Sequence, residues 1–517
     1  MLDVLRALEA GSVHCVVTST PYWSLRDYQL PPVEWEPVRY APMAGLPEIE
    51  VPGCDPECKH KWGKEQVIHQ RGSLGTSTLD GRKPVDGQDR QQDASQGSWC
   101  RLCGGWRGSL GLEPTPEMFV GHIVAIWREL RRVLRDDGTC WLNLGDSYCS
   151  IGHKKSHSGF GTTGLAGGIA QEHSPTHREN NGPGLKHKDL LGIPWRVALA
   201  LQADGWYLRS AIVWAKGLSF CDTYSGSCMP ESVRDRPTTS YEMVFLLAKS
   251  ERYYYDADAV REGYSEASLS RYNYAFGGDG YKSPTKNPSV RPDGVIDPNP
   301  AGRNLRSVWT INPGSYAGAH FATFPPALME PMIKAGTSER GCCPQCGAPW
   351  ERVTDVSYNN PGNRTTNGPR SMERRHETAG FEVRLERQSQ TIGFRPTCSC
   401  YDDLYRRDFP KPKNPRKRAQ RLAWDWCEWT KGWFKRARRH PGLAHWPTVP
   451  CTVLDLFLGS GTTADVARQL DRRWQGIELS KDYCDEHIIP RLEEPLIEWA
   501  QEEQPELAPE AEQLSLL

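Results

Sequence analysis

The sequence predicts an α/β fold with a parallel sheet, and three observations carry that reading. TVLDLF from Thr452 is an apolar strand, LGSGTT a glycine loop, ADVARQL a helix and RWQGIEL a second strand; a β-α-β unit implies parallel strands. Val13 to Val17 is a second apolar strand, and it runs straight into the polar segment TSTPYW. PEMFVGHIVAIWRELRRVLRDDG is amphipathic, with Phe119, Ile123, Ile126, Leu130 and Val133 recurring every three to four residues and Gly138 expected to end the helix. TCWLNLGDSY then reads as a buried strand.

The order of elements divides the chain. Residues 1–29 hold a short helical pattern (Val4, Leu5, Leu8) and the first strand. Residues 30–113, rich in Pro, Gly, Gln and Asp, read as a cysteine-rich insertion. Residues 114–260 are the most regular core segment, with IPWRVALALQADG as a helix, YLRSAIVWAK and SYEMVFLLAKS as strands, and a Gly/His/Ser-rich loop at 151–185. Residues 261–319 carry few apolar runs. Residues 320–339 return to the core, 340–447 form a second cysteine-rich and basic insertion, 448–492 hold the β-α-β unit, and 493–517 are an acidic tail.

Composition agrees with a core diluted by polar insertions: 38% of the 517 residues are hydrophobic and the mean hydropathy is −0.62. No apolar run reaches the roughly eighteen residues of a membrane span. The start, MLDVLRALEAG, lacks a secretory signal, so a cytoplasmic protein is expected. A net charge of −1 decides nothing about nucleic acid, because the charge is uneven: Lys411 to Arg439 is strongly basic. Seventeen cysteines in such a chain point to metal or reduced thiols rather than disulfides.

Gly459-Ser460-Gly461-Thr462-Thr463-Ala464 fits G-x-G-x-x-A between a strand and a helix, and the next strand ends at Glu478. Glycines let the backbone turn tightly against a ligand, and an acid at the next strand end can accept from ribose hydroxyls. An adenosyl cofactor suits this unit; a dinucleotide, or a tight turn that binds nothing, are the alternatives. Asp455 at the strand end favours an uncharged or cationic group over a diphosphate.

Thr18-Ser19-Thr20-Pro21-Tyr22-Trp23 follows a strand, which places it at the carboxyl edge of the sheet, where open α/β folds bind ligands. An exocyclic amine on a base is a poor nucleophile because its lone pair is delocalised into the ring. Two acceptors on its hydrogens, here Ser19 Oγ and the carbonyl of Thr20, would favour a more tetrahedral nitrogen. Tyr22 offers a face for an extruded base.

These segments resemble the DNA amino-methyltransferases of the permuted β group, in which an S/D-P-P-Y/W catalytic segment precedes the cofactor glycines. TSTPYW at 18–23 resembles the former and DLFLGSGTT at 455–463 the latter. DGTCWLNLGDSY, MPESVRDRPTTSYEMVFLLAKSERYYYD and HFATFPPALMEPMI at 320–333 are similar to further family segments, in family order over about half the chain. The resemblance implies a Rossmann-like, mostly parallel seven-stranded sheet with helices on both faces, and S-adenosylmethionine as methyl donor. It assigns catalysis to Ser19, Thr20, Pro21 and Tyr22, and cofactor binding to Asp455, Phe457, Gly459, Gly461, Thr462, Glu478, Phe321 and Thr323. Thr20 departs from the family's first proline. A Gly-Asp strand that usually precedes the helix at residues 3–8 is not in the sequence, so one cofactor contact is expected to be absent or to come from elsewhere. Serine at position 19 is commoner in cytosine-N4 members and aspartate in many adenine-N6 ones, which favours cytosine N4 with adenine N6 as the alternative. A catalytically impaired zinc-containing DNA-binding protein, or a methyltransferase of RNA or protein, are rival readings.

Cys54, Cys58, Cys100 and Cys103 form one cysteine set, and Cys343, Cys346, Cys398 and Cys400 another. Thiolates two to four residues apart make knuckles, and two knuckles complete a structural Zn²⁺ site. Reduced thiols, or His60 or Cys342 in place of a named cysteine, are the alternatives. Pro450-Cys451 is the dipeptide of enzymes that methylate cytosine C5 through a covalent cysteine, but a thiol opening a buried strand is ordinary. Double-stranded DNA is the expected partner, with or without a cognate restriction endonuclease. Target recognition is expected at 261–319, where RYNYAF and GRNLRSVW suit base-edge contacts. The tryptophans Trp424, Trp426, Trp429 and Trp433 among the lysines and arginines of 411–439 suit either phosphate and base contacts or a solvated amphipathic helix.

Overall fold

A computed structural model describes residues 1–23, 32–65, 67–70, 92–95, 97–149, 185–228, 230–231, 233–265, 299, 301–313, 324–359, 386–401, 446–481 and 484–492. The central sheet contains, in chain order, β1 (Val13–Ser19), β2 (Leu134–Leu144), β3 (Tyr207–Ala215), β4 (Tyr241–Ala248), β5 (Val308–Thr310), β6 (Thr452–Asp455) and β7 (Arg473–Gly476). Their spatial order is β5-β3-β4-β2-β1-β6-β7. β4 runs antiparallel to both neighbours, and every other pair is parallel. The sheet is therefore seven-stranded and mostly parallel, as the resemblance implies.

From Cys15 onward β1 side chains alternate with the two-residue period of an extended strand, after a register irregularity between Val13 and Cys15. Cys15 and Val17 pack on one face with Trp141, Val244 and Val453, while Val16 packs on the other with Leu142, Phe245 and Leu454. Helices α1 (Leu2–Ala7), α2 (Pro116–Val133) and α3 (Ile193–Ala203) lie against the second face. α4 (Pro326–Gly336) and α5 (Thr462–Gln469) cover the first. α2 begins where its sequence says it should: Thr115 Oγ1 accepts from the Met118 amide at 3.3 Å, and Pro116 stands at the first helical position.

Three expectations change. Gly138 does not end α2; the chain becomes extended at Leu134, whose buried side chain joins the core while it pairs with Val13, so Gly138 lies inside β2. β5 comes from the segment expected to read DNA, because Trp309 buries its ring beside Trp141 and β5 pairs with β3. The first insertion also has more apolar anchorage than its composition suggests: Trp35, Val38, Tyr40, Val51 and Trp106 are buried in the same core cluster as α2. In the second insertion, Trp350, Tyr401 and Trp446 form a small cluster beside the hairpin Glu351–Asn359 and Glu386–Arg395. Among the described residues no helix is long and apolar enough to cross a membrane.

Candidate active site

β1 and β6 are neighbours, so the segment after Ser19 and the loop after Asp455 leave the same edge of the sheet side by side. Thr18 ties them together: its hydroxyl donates to Asp455 Oδ1 at 2.7 Å and accepts from the Leu456 amide at 3.2 Å. Ser19, half-buried, ends β1 opposite Asn143 of β2. Thr20 is buried, and its hydroxyl has no hydrogen-bond partner among the described residues. Trp23 is buried and donates from Nε1 to the Glu113 carbonyl at 3.0 Å.

Tyr22 is held at both ends. A Cβ at Gly145 would stand 2.6 Å from Cε2 of its ring, so only glycine lets the ring lie there. Its hydroxyl donates to Glu242 Oε2 at 2.5 Å and sits 3.2 Å from Asn143 Oδ1. Asn143 Nδ2 also donates to Glu242 Oε2, at 2.9 Å, and Lys216 Nζ pairs with Glu242 Oε1. The Lys216 ammonium lies 4.6 Å from the centre of the Trp214 ring. Asn143, Lys216 and Glu242 were not singled out from the sequence. Glu242 is the second residue of β4, whose antiparallel course brings it to the carboxyl edge of the parallel strands, and sequence order alone does not show this.

The glycine loop has the geometry its residues permit. Gly459 has φ +53° and Gly461 φ +77°, left-handed values that disfavour side chains, and Gly461 caps α5. Among the described residues beyond its chain neighbours, the nearest atom to where a Cβ at Gly459 would be is the Phe457 carbonyl oxygen, at 3.9 Å. Glu478 Oε2 accepts from the Gly459 amide and Oε1 from the Ser480 amide, both at 2.9 Å, and the Leu479 amide also donates to this carboxylate. A carboxylate oxygen has room for a second donor, so the acid can hold the loop and still accept from ribose hydroxyls. Burial pushes its carboxyl above the ordinary range. Thr462 is buried and takes a hydrogen bond from Arg491 Nη1 at 3.1 Å; Arg491 also reaches the Ser460 carbonyl at 3.1 Å. Phe457 is partly buried against the core, and its amide donates to Asp455 Oδ1 at 3.1 Å.

Asp455 is 1% exposed, and besides Thr18 and Phe457 it accepts from Thr463 Oγ1 at 2.6 Å. It orders the loop from inside the protein. Burial raises its carboxyl to about 6, partly offset by the Thr463 and Thr18 hydroxyls. Phe321 and Thr323 lie outside the described residues, as do RYNYAF and the basic segment Lys411 to Arg439.

A family model described as DNA methylase, of the N6/N4 type, matches residues 13–343 and 451–489, ranges that include the segment after β1 and the glycine loop. The chain belongs to this family. The DNA methylase is 34% identical over 340 residues to the Type II methyltransferase M.Cfr9I of Citrobacter freundii, covering 65% of this chain and 70% of that one. It is 37% identical over 234 residues to M.SmaI of Serratia marcescens, covering 45% of this chain and 64% of the relative. Among solved structures, the PvuII DNA methyltransferase (cytosine-N4-specific) aligns at a TM-score of 0.38 and 10% identity, over 96% of this chain and 84% of that one.

Cys451 of the methylase is 0% exposed, with its thiol beside Cys342, which together with burial pushes it well above its ordinary value. That placement gives no support to a covalent cysteine. His14 joins these two thiols, but both its ring nitrogens are engaged, Nδ1 with the Thr452 amide at 3.0 Å and Nε2 with the Gly347 carbonyl at 2.8 Å. The trio is a hydrogen-bonded cluster.

Among the described residues two groups of four, and the trio Glu34, Cys54 and His60 that overlaps one of them, could hold an ion. Cys343, Cys346, Cys398 and Cys400 present four sulfurs within 4.8 Å of one another, the four named from the sequence. In the first insertion the equivalent group is Cys58, His60, Cys100 and Cys103. Cys54, named from the sequence, lies outside this group of four, where its stated alternative His60 stands; the Cys54 thiol lies 3.4 Å from the Trp106 carbonyl and groups with Glu34 and His60. The K-H that follows Cys58 was the signal, since histidine two residues after a cysteine can turn its ring into the same site.

Proposed function

We propose that this methylase transfers a methyl group from S-adenosylmethionine to N4 of cytosine in double-stranded DNA. The observation that carries the reading is the hydrogen-bonded junction of the segment after β1 and the glycine loop, Thr18 to Asp455, which supports a role for the adjoining Ser19 next to the cofactor. Ser19 Oγ and the Thr20 carbonyl accept the two amine hydrogens, turning the nitrogen lone pair towards the donor. Bound S-adenosylmethionine supplies an electrophilic methyl carbon. Glu478 would hold its ribose, and the Gly459–Gly461 loop, with Phe457 and Thr462 flanking it, its amino-acid end; Phe321 and Thr323 would complete the site. Tyr22, locked by Glu242, offers its ring to the base. The residues Cys343, Cys346, Cys398 and Cys400 would take one structural zinc ion, with no position left for substrate.

Serine at position 19 supports cytosine over adenine, and kinship with Type II methyltransferases supports a role beside a restriction endonuclease. Residues 261–319, apart from the core strand β5, and the second insertion are the proposed DNA-reading regions. Expression in a methylation-free bacterium, followed by sequencing of its genome for modified bases, tests the assignment. One short motif carrying N4-methylcytosine is expected, and Ser19→Ala abolishes it while cofactor binding persists. N6-methyladenine would overturn the choice of base; an unmodified genome would overturn the activity.

A further inference from the structure

We propose that Cys58, His60, Cys100 and Cys103 bind one zinc ion, and that this ion holds the catalytic loop at Ser19 to Trp23 in place through Glu113. The metal half stands alone, while the positioning half rests on the methyltransferase reading above.

The spacing is that of a tetrahedral site. Cys58 Sγ and Cys100 Sγ are 3.9 Å apart, and Cys103 Sγ and His60 Nδ1 are 3.5 Å apart. At zinc's usual bond lengths, tetrahedral ligands stand about 3.8 Å apart for two sulfurs and about 3.6 Å for sulfur and nitrogen. A disulfide would need about 2 Å. The surroundings also suit an ion. The amides of Leu102 and Gly105 donate to Cys100 Sγ and Cys103 Sγ, each at 3.4 Å, which favours the thiolate form. His60 Nε2, the ring nitrogen other than the one that meets Cys103 Sγ, faces Glu34 Oε2 at 3.6 Å. A carboxylate behind the ring fixes the tautomer and orientation of a ligating histidine.

From this site a short chain of contacts leads to the catalytic loop. Beyond Cys103 comes the strand Trp106–Gly108, whose last carbonyl accepts from Trp35 Nε1 at 3.0 Å. Trp35 and Trp106 flank the His122 ring, at 4.0 and 5.7 Å between centres. His122 Nδ1 meets Glu113 Oε1 at 3.0 Å, and the Gly111 amide donates to Glu113 Oε2 at 2.8 Å. The Glu113 carbonyl receives Trp23 Nε1. Gly111, at φ +91°, approaches so closely that a Cβ there would stand 3.1 Å from Pro21 Cβ. Thr20 leaves the loop without the ring that would otherwise fix its φ. The insertion supplies the missing stiffness from outside.

Full-length protein serves for the test, with zinc counted by mass spectrometry and loop order followed by hydrogen exchange of peptides covering 13–23 and 452–469. His60→Ala should lower the zinc count by one ion per chain, and His60→Cys should restore it. In His60→Ala, exchange should rise in 13–23 and not in 452–469, and kcat should fall about tenfold or more while S-adenosylmethionine affinity holds. An unchanged zinc count in His60→Ala, or loss of the ion in Cys54→Ser, would overturn the ligand set. Loss of the ion with unchanged exchange and kcat would overturn the positioning role. If His60→Ala does not fold, chelation of native wild-type protein gives the same exchange comparison. A wild-type protein that never methylates DNA would defeat the methyltransferase reading, while the metal count and the exchange pattern would still decide this one.

Discussion

Thr18 and Asp455, separated by most of the chain, share a hydrogen bond of 2.7 Å with both residues about 1% exposed. Thr18 precedes the proposed catalytic serine, and Asp455 underlies the glycine loop. With the Leu456 amide, which donates to the same hydroxyl, this bond sets the proposed catalytic segment against the glycine loop. Removing a buried donor leaves its acceptor unsatisfied, at a cost of about 1–3 kcal/mol. Thr18→Val should lose that much stability in urea unfolding, and calorimetry should show S-adenosylmethionine bound about tenfold more weakly, as 1.4 kcal/mol implies. Unaltered affinity would mean that the loop holds its shape without this bond.

Asp455 makes stability depend on pH in a stated direction. Its carboxyl is raised from 3.8 to about 6, so the folded chain holds this proton more tightly than the unfolded chain does. The resulting stabilisation is fully present below the unfolded value and is lost as pH rises through the folded one. Compared with Asp455→Asn, which does not titrate, wild-type protein should lose about 1 kcal/mol of relative stability between about pH 5 and pH 8. Paired urea titrations across that range measure it, and a difference that grows with pH would contradict the assignment.

The hydrogen bonds on Glu242 lock Tyr22 without touching the glycine loop. Glu242→Gln keeps the shape but removes the charge that faces Lys216, and Tyr22→Phe removes only the hydroxyl. The first should lower kcat about tenfold or more and the second about fivefold, both with unchanged cofactor affinity. Equal loss in kcat and in cofactor binding would show that the network serves the whole sheet edge.

Gly145 is the floor under the Tyr22 ring. In Gly145→Ala the new methyl would meet that ring at 2.6 Å, and the ring or the strand end must shift. Overpacking of this kind costs about 1–3 kcal/mol. Methyl transfer should fall further than stability, because the displaced group is the proposed base platform; single-turnover assays beside thermal melts separate the two.

The residues that were legible in the sequence share a local signature. Gly459 and Gly461 stand between a strand and a helix, and both adopt the left-handed backbone that marks such a turn. The cysteine pair Cys343 and Cys346 announces a knuckle by its spacing. Glu242 and Lys216 carry no comparable mark: each sits in a strand pattern beside apolar residues, and only the antiparallel pairing of β3 with β4 brings Lys216 to Glu242, which meets Tyr22. Gly138 misled for a related reason, since a glycine after a helical pattern reads as a stop until the pairing of Leu134 with Val13 is seen.

By itself the sequence determined the α/β class, the strand-loop-helix unit that opens at Thr452, and the polar segment at the end of an apolar strand. Periodicity and turn chemistry are local, and a few neighbouring residues suffice to express them. Only the tertiary structure decided that β1 lies next to β6, that Thr18 meets Asp455, that His60 stands where Cys54 was expected, and that Glu242 reaches Tyr22. Those contacts join residues far apart in the chain, and a hydrogen bond between them leaves no repeating trace along it.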